Sequence, residues 1–245
     1  MSPEEVQRYG RQILLKEVGG PGQAALKSAR VLIVGAGGLG GPASLYLAAA
    51  GVGTIGIVDD DVVELSNLHR QIQFQTGHIG QSKTACMEAT LSALNPHVQI
   101  KTHEMRLTDD NARELISAYD LVLDGTDDFP TRFAVNVACL ATHTSLVSGA
   151  LGRFDGQLAV FKNDGDSACY RCFVPVIPDD IETCAAVGVL GALAGIIGSM
   201  MAMEALKILT GAGKPLYGKL FLYDGLSADA RTIRLPKDPN CPACT

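Results

Sequence analysis

Three groups of residues in this chain have the types and spacing to do chemistry. Four of the seven cysteines form two C-x-x-C pairs, Cys169/Cys172 and Cys241/Cys244. Four thiolates suit a tetrahedral structural zinc (Zn2+) site with no open coordination position. The stretch between the pairs is too long for a compact zinc ribbon, so such a site ties the last residues of the chain to its middle. A redox pair or unligated thiols are the alternatives. The second group, Gly35-Ala36-Gly37-Gly38-Leu39-Gly40, fits G-x-G-x-x-G. Glycines there permit a tight turn and close backbone approach to phosphate, and a helix N-terminus adds free N–H groups. Asp59 stands where an acid accepts hydrogen bonds from ribose hydroxyls.

The third group is charged. Arg70 lies in Ser66-Asn67-Leu68-His69-Arg70-Gln71 and Lys83 in Gly80-Gln81-Ser82-Lys83. A dehydrogenase needs little positive charge beyond the pyrophosphate, whereas a triphosphate needs more. Asp127, in Gly125-Thr126-Asp127-Asp128, suits magnesium (Mg2+) bridging phosphates, since that ion takes one or two carboxylates plus phosphate oxygens and water. The plainer readings are solvated charges for Arg70 and Lys83, and a helix N-cap for Asp127, although Asp128 is the better cap.

These residues need a scaffold. Arg30–Gly35 and Thr54–Asp59 are short apolar β-branched runs, typical of strands buried on both faces, with an Ala/Leu-rich helix over Gly41–Ala50 between them. That is a β-α-β unit, which predicts a parallel sheet with right-handed crossover. The alternation continues: helix Ser82–Leu94, strand Val98–Thr102, helix Asp109–Ala118, strand Asp120–Gly125, helix Thr131–Thr142, strand Ser145–Ser148. Gly156–Lys162, Lys219–Tyr223 and Arg231–Leu235 then read as strands without crossover helices, apart from a long helix over Gly188–Leu209. The expected fold is α/β, a Rossmann-like doubly wound, mainly parallel sheet extended by antiparallel C-terminal strands. Residues 1–29 look helical and polar, with Gly19-Gly20-Pro21-Gly22 as a loop. Cys86 and Cys139 fall in helical patterns and read as core.

The chain has 245 residues, 47% of them apolar and 19% charged, which excludes disordered and fibrous classes. Its net charge of −6 speaks against nucleic acid as a partner. The cysteine usage and the acidic, polar first residues point to a cytoplasmic protein with reduced thiols. Ala185–Met203 is uncharged and near spanning length, but four glycines and the following Glu204 and Lys207 favour a helix buried in a core or subunit interface over a membrane span.

Taken together, these motifs resemble the MoeB/ThiF family, relatives of the ubiquitin-activating enzymes. The resemblance is carried by Arg8-Tyr9-Gly10-Arg11-Gln12, the glycine loop, Asp59 with Ser66–Gln71, Gly80–Lys83, Thr126-Asp127, both C-x-x-C pairs and Thr183-Cys184. It covers nearly the whole chain in the right order and implies one domain, residues 1–245. The nucleotide-binding half would cover about residues 1–150, and the half with the zinc site and carrier-binding strands about 151–245. It also implies ATP-dependent adenylation of the C-terminal Gly-Gly carboxylate of a ubiquitin-like sulfur carrier protein, by a homodimer, for molybdopterin or thiamine-thiazole synthesis. Gly38 would then face the nucleotide phosphates, Asp59 the ribose and Asp127 the magnesium. Asn67, Arg70, Gln71 and Lys83 would line the phosphate path, and Arg11 would reach the neighbouring subunit's triphosphate. Catalysis would rest on charge neutralisation and alignment, with no general base, because the attacking carboxylate is already ionised.

Two departures stand out: Gly125 and Asp128 replace the family's common Cys and Asn, and His69 stands where Gln is frequent. Cys184 is either an acceptor for the activated carrier, as a thioester or acyl disulfide, or an incidental thiol. Tyr223-Asp224-Gly225 leans toward the thiamine-side relatives, and the sulfur donor is expected to be a separate protein. The competing readings are activation of another ubiquitin-like carrier or peptide C-terminus, an NAD-dependent Rossmann oxidoreductase, and a non-catalytic scaffold.

Overall fold

The computed structural model describes residues 1–177 and 188–245. Its centre is an eight-stranded sheet in the order β3-β2-β1-β4-β5-β6-β7-β8. Strands β1 (Arg30–Val34), β2 (Thr54–Val58), β3 (Gln99–His103), β4 (Leu121–Asp124) and β5 (Ser145–Leu151) pair in parallel. Strands β6 (Asp155–Phe161), β7 (Lys219–Asp224) and β8 (Asp229–Arg234) add antiparallel pairs. This is the expected architecture. The switch in strand order falls between β1 and β4, where open α/β sheets place their ligand crevice.

Period-two alternation along the strands feeds two cores. Ile33, Ile57 and Leu123 point to the face covered by α2 (Gly19–Ser28), α3 (Gly40–Ala50), α4 (Lys83–Leu94) and α8 (Gly191–Thr210). Leu32, Val34 and Val122 point to the opposite face, under α5 (Asp109–Ile116), α6 (Phe129–Thr142) and the single turn α7 (Tyr170–Phe173). Cys86 on α4 and Cys139 on α6 are buried, as expected of core thiols.

Helix α1 (Pro3–Ile13) begins in a capping box: the Glu5 N–H donates to Ser2 Oγ at 3.2 Å and the Ser2 N–H to the Glu5 carboxylate at 2.6 Å. The glycine run after it is not the expected loop. Gly19 turns the chain with φ +56°, and Gly20, Pro21 and Gly22 form the first turn of α2. Proline is tolerated there because a first-turn N–H has no intrahelical partner.

Helix α8 is long and apolar enough to cross a membrane by length and composition. Here it packs against α2, α3, β5 and β6 and buries Leu193, Ala194, Ile197, Gly198 and Met201. One face of it joins the core, while Ile196 and Met203 are exposed.

Candidate functional site

Strand register decides what meets at the crevice. Val34 of β1 pairs with both Val58 of β2 and Asp124 of β4. Gly35, Asp59 and Gly125 therefore leave the sheet side by side at one carboxyl edge. The glycine loop opens α3 there, and a Cβ on Gly40 would collide with the carbonyl of Gly35, so only glycine permits this turn. Asp59 braces the loop: one carboxylate oxygen accepts the Ala36 N–H at 2.7 Å and the other the Asp61 N–H at 2.9 Å. Burial pushes the Asp59 carboxyl above its usual value, against the pull of Lys83 and the two backbone donors.

A cleft of about 640 Å3 lies over this edge. Gly38, Asp59, Asn67, Arg70, Gln71, Lys83 and Asp127 all line it. Lys83, at the start of α4, is nearly buried and pairs with Asp61 at 2.7 Å. Arg70 donates to the Ser66 carbonyl at 3.0 Å and sits against the His69 ring. The Gln71 side chain is buried, with its Oε1 free of hydrogen bonds among the described residues. Arg11 is exposed on α1 and does not line the cleft of its own chain. Cys184 lies outside the described residues.

In the β4 loop beside the glycine loop, Asp127 is exposed to the cleft and makes no hydrogen bond among the described residues. Asp128 is occupied: it caps α6, accepting from the Thr131 N–H at 3.0 Å and hydroxyl at 2.7 Å, and lies 3.8 Å from Arg106. Its extra charge is thus spent on the helix, as its position as the better cap implied. Gly125 has a steric role, because a Cβ there would lie 2.8 Å from Leu39 Cβ. Its absence lets the β4 loop close against the glycine loop.

Two residues of this wall escape sequence reasoning. Asp124 is buried at the end of β4 and accepts from the Thr126 N–H at 3.0 Å and hydroxyl at 2.7 Å. Arg132, one turn into α6, has a buried guanidinium that donates to the carbonyls of Thr126 and Gly149 and to Ser148 Oγ. Burial opposes its charge, but Asp124 and Tyr170 hold its proton more tightly than usual. An arginine inside an otherwise apolar helix was the available signal.

The four C-x-x-C cysteines converge as well. Their sulfurs lie within 4.8 Å of one another, with Cys169 to Cys241 at 3.6 Å, Cys172 to Cys244 at 3.5 Å and Cys169 to Cys172 at 4.0 Å. Zinc–sulfur bonds of about 2.3 Å in a tetrahedron put sulfurs about 3.8 Å apart, so the donor set and its size fit that ion. Disulfides would need sulfurs about 2 Å apart. Asn136 of α6 donates to Cys169 Sγ at 3.7 Å and accepts the Tyr170 N–H at 2.8 Å, a partner of the kind that orients a metal ligand.

The model of the ThiF family matches residues 9–243. The chain belongs to the ThiF family. Among ThiF-family relatives, a protein of Thermus thermophilus named "Sulfur carrier protein adenylyltransferase" is 48% identical over 247 residues, spanning 98% of this chain and 91% of that protein. A "Probable adenylyltransferase/sulfurtransferase MoeZ" of Mycobacterium tuberculosis is 46% identical over all of this chain, which spans 64% of its length. Among solved structures, E. coli MccB superposes with a TM-score of 0.86 at 21% identity, over 97% of this chain and 74% of that one, which speaks to the fold. PaaA superposes at 0.83 with 25% identity, over 97% and 76%.

Proposed function

We propose that this ThiF-family chain is an ATP-dependent adenylyltransferase that activates the C-terminal Gly-Gly carboxylate of a ubiquitin-like sulfur carrier protein. The observation that carries this reading is the meeting of a phosphate-binding glycine loop, Asp59, Arg70, Lys83 and Asp127 around one cleft, in a chain 48% identical to a named sulfur carrier protein adenylyltransferase. A carboxylate oxygen of the carrier attacks the α-phosphorus of ATP. An acyl–phosphate bond forms, the α–β bridge breaks, and pyrophosphate leaves. Both reactants are anions, so the work of the protein is to align them and offset their charge.

The glycine loop and Gln71 hold the phosphates, Asp59 the ribose. Arg70 and Lys83 supply positive charge, and Asn67 shapes the path between them. Asp127 fits a magnesium ligand, because its carboxylate lines the cleft and takes no hydrogen bond among the described residues. What that ion supplies when bound is charge neutralisation on the phosphate oxygens. The neighbouring Asp59 and Asp61 carboxylates fit it less well, being engaged by backbone N–H groups and by Lys83 respectively.

In the same reading the whole chain is one domain. Cys169, Cys172, Cys241 and Cys244 hold a structural zinc. The enzyme is a cytoplasmic homodimer in which Arg11, exposed and away from its own cleft, serves the partner's site. Exposed Leu14, Tyr46 and Ile72 are in keeping with a covered surface. The adenylate carries no sulfur, so a separate donor protein delivers it, for molybdopterin or thiamine-thiazole synthesis, with Cys184 as a candidate carrier acceptor. Magnesium-dependent ATP–pyrophosphate exchange, with purified molybdopterin-type and thiazole-type carriers, tests the reading. Exchange with one carrier and not the other names the route. A chain that binds no ATP overturns the reading.

A further inference from the structure

A phosphate-binding loop can turn its N–H groups outward only if its carbonyls turn inward, and an inward carbonyl needs a donor. For the Ala36 carbonyl that donor is one side chain, which also reaches the Gly37 carbonyl, itself an acceptor of the Gly41 N–H at 3.0 Å. Gln73 Nε2 donates to the Ala36 carbonyl at 2.7 Å and to the Gly37 carbonyl at 3.1 Å. Peptides are planar and trans, so carbonyls of 36 and 37 held inward leave the N–H groups of Gly37 and Gly38 pointing the other way, and both residues line the cleft. Neither N–H takes part in a hydrogen bond among the described residues.

The seat of Gln73 is built for it. Its side chain is 4% exposed and lies across Gly41, where a Cβ would overlap the amide. Its backbone carbonyl is tied to the Thr90 hydroxyl of α4 at 3.3 Å. Its Oε1 has no partner among the described residues, a cost a leucine of similar size would avoid. What the amide supplies and a hydrocarbon cannot is the pair of N–H bonds to the loop.

We propose that Gln73 is a positioning residue for the nucleotide phosphates: it locks the 36–37 peptide against flipping and adds to the hold of the Gly41 N–H on the 37–38 peptide, so that N–H groups and not carbonyls meet the anion. This deepens the ATP reading and rests on it.

The test measures equilibrium binding of ATP and of adenosine to the full chain in magnesium buffer. Gln73→Leu should weaken ATP about tenfold, the equivalent of one charge-assisted hydrogen bond, and leave adenosine within about twofold. KM for ATP in pyrophosphate exchange should rise by the same factor with kcat unchanged, because the contact serves ground and transition states alike. Gln73→Glu, which has no N–H to give, should lose more. Gly41→Ala, which expels the amide, should match Gln73→Leu, and the double variant should be no worse than either single one. ATP binding at the wild-type level in Gln73→Leu, or equal losses for ATP and adenosine, overturns the proposal; if that variant does not fold, the same comparison in Gly41→Ala decides. Failure is distinguishable from failure of the functional reading, which shows in the unaltered chain as no ATP binding.

Discussion

The cleft and the four-cysteine cluster are each assembled from segments far apart in the chain, and they treat their polar atoms in opposite ways. In the cluster every sulfur faces another sulfur, two of the four residues are buried, and Asn136 fills an outer position. The shell is closed, and no position remains for a substrate. In the cleft, Asp127 and the N–H groups of Gly37 and Gly38 are unengaged among the described residues, while Lys83 and Arg70 hold contacts that an arriving anion can replace. A satisfied site stabilises, whereas a site that keeps groups unspent can bind and react. The two share a wall, because α6 carries the Asp128 cap, Arg132 and Asn136 at successive turns, reaching from the cleft to Cys169.

The sharpest break between them should come from Asp127→Ala. Exchange activity should fall by about 1,000-fold or more, as loss of an electrostatic element of the reacting site does, with metal content and melting temperature unchanged. Near-normal exchange would remove the magnesium assignment. The adjacent Asp128→Ala makes the contrast: loss of an N-cap costs about 1 kcal/mol, or roughly 2–4 °C of melting temperature, with exchange little altered.

Stripping metal with a chelator, or Cys241→Ser, tests the other side. Bound zinc should drop from one per chain to none, and stability should fall by about 3 kcal/mol or more, roughly 6–12 °C. ATP affinity measured well below that transition should change less than about threefold if the two sites are energetically separate. A larger loss would mean that the shared α6 wall couples them.

The smallest effect concerns α1, which lies apart from both regions and bears Arg11. The Lys27 ammonium, 2.8 Å away, and the Ser2 N–H hold the Glu5 carboxyl at about 2, down from 4.5. A depressed carboxyl stabilises fully above its unfolded value and loses that contribution as pH falls toward the folded one. Denaturation curves of the parent chain should therefore weaken between about pH 4.5 and 2 more steeply than those of Glu5→Gln. Parallel curves would remove this ion pair from the acid response.

Much of the architecture is readable because its signals are local. A β-branched run followed by G-x-G-x-x-G, an acid at the end of the next strand, and a polar-to-apolar helical rhythm each lie within one segment. The misreading at Gly19–Gly22 has the same origin: glycine and proline signal a turn locally, while packing of Gly22 against Thr210 of α8 draws them into a helix. Gln73 carries no comparable signal, and Arg132 only that of a charge set in a mostly apolar helix. A glutamine in an irregular loop has no periodicity, and its partners lie 36 and 37 residues away.

The strand–loop–helix unit, the residue types that could meet a nucleotide, and the two thiol pairs are legible from the chain's residues alone, because short-range sterics and spacing are enough for these. Long-range packing sets which ends share an edge, that Asp128 caps while Asp127 lines the cleft, that Cys169 meets Cys241, and that a buried amide braces the glycine loop. Those choices depend on strand register and on which polar groups burial leaves in need of a partner, and both are set only once the distant segments have packed.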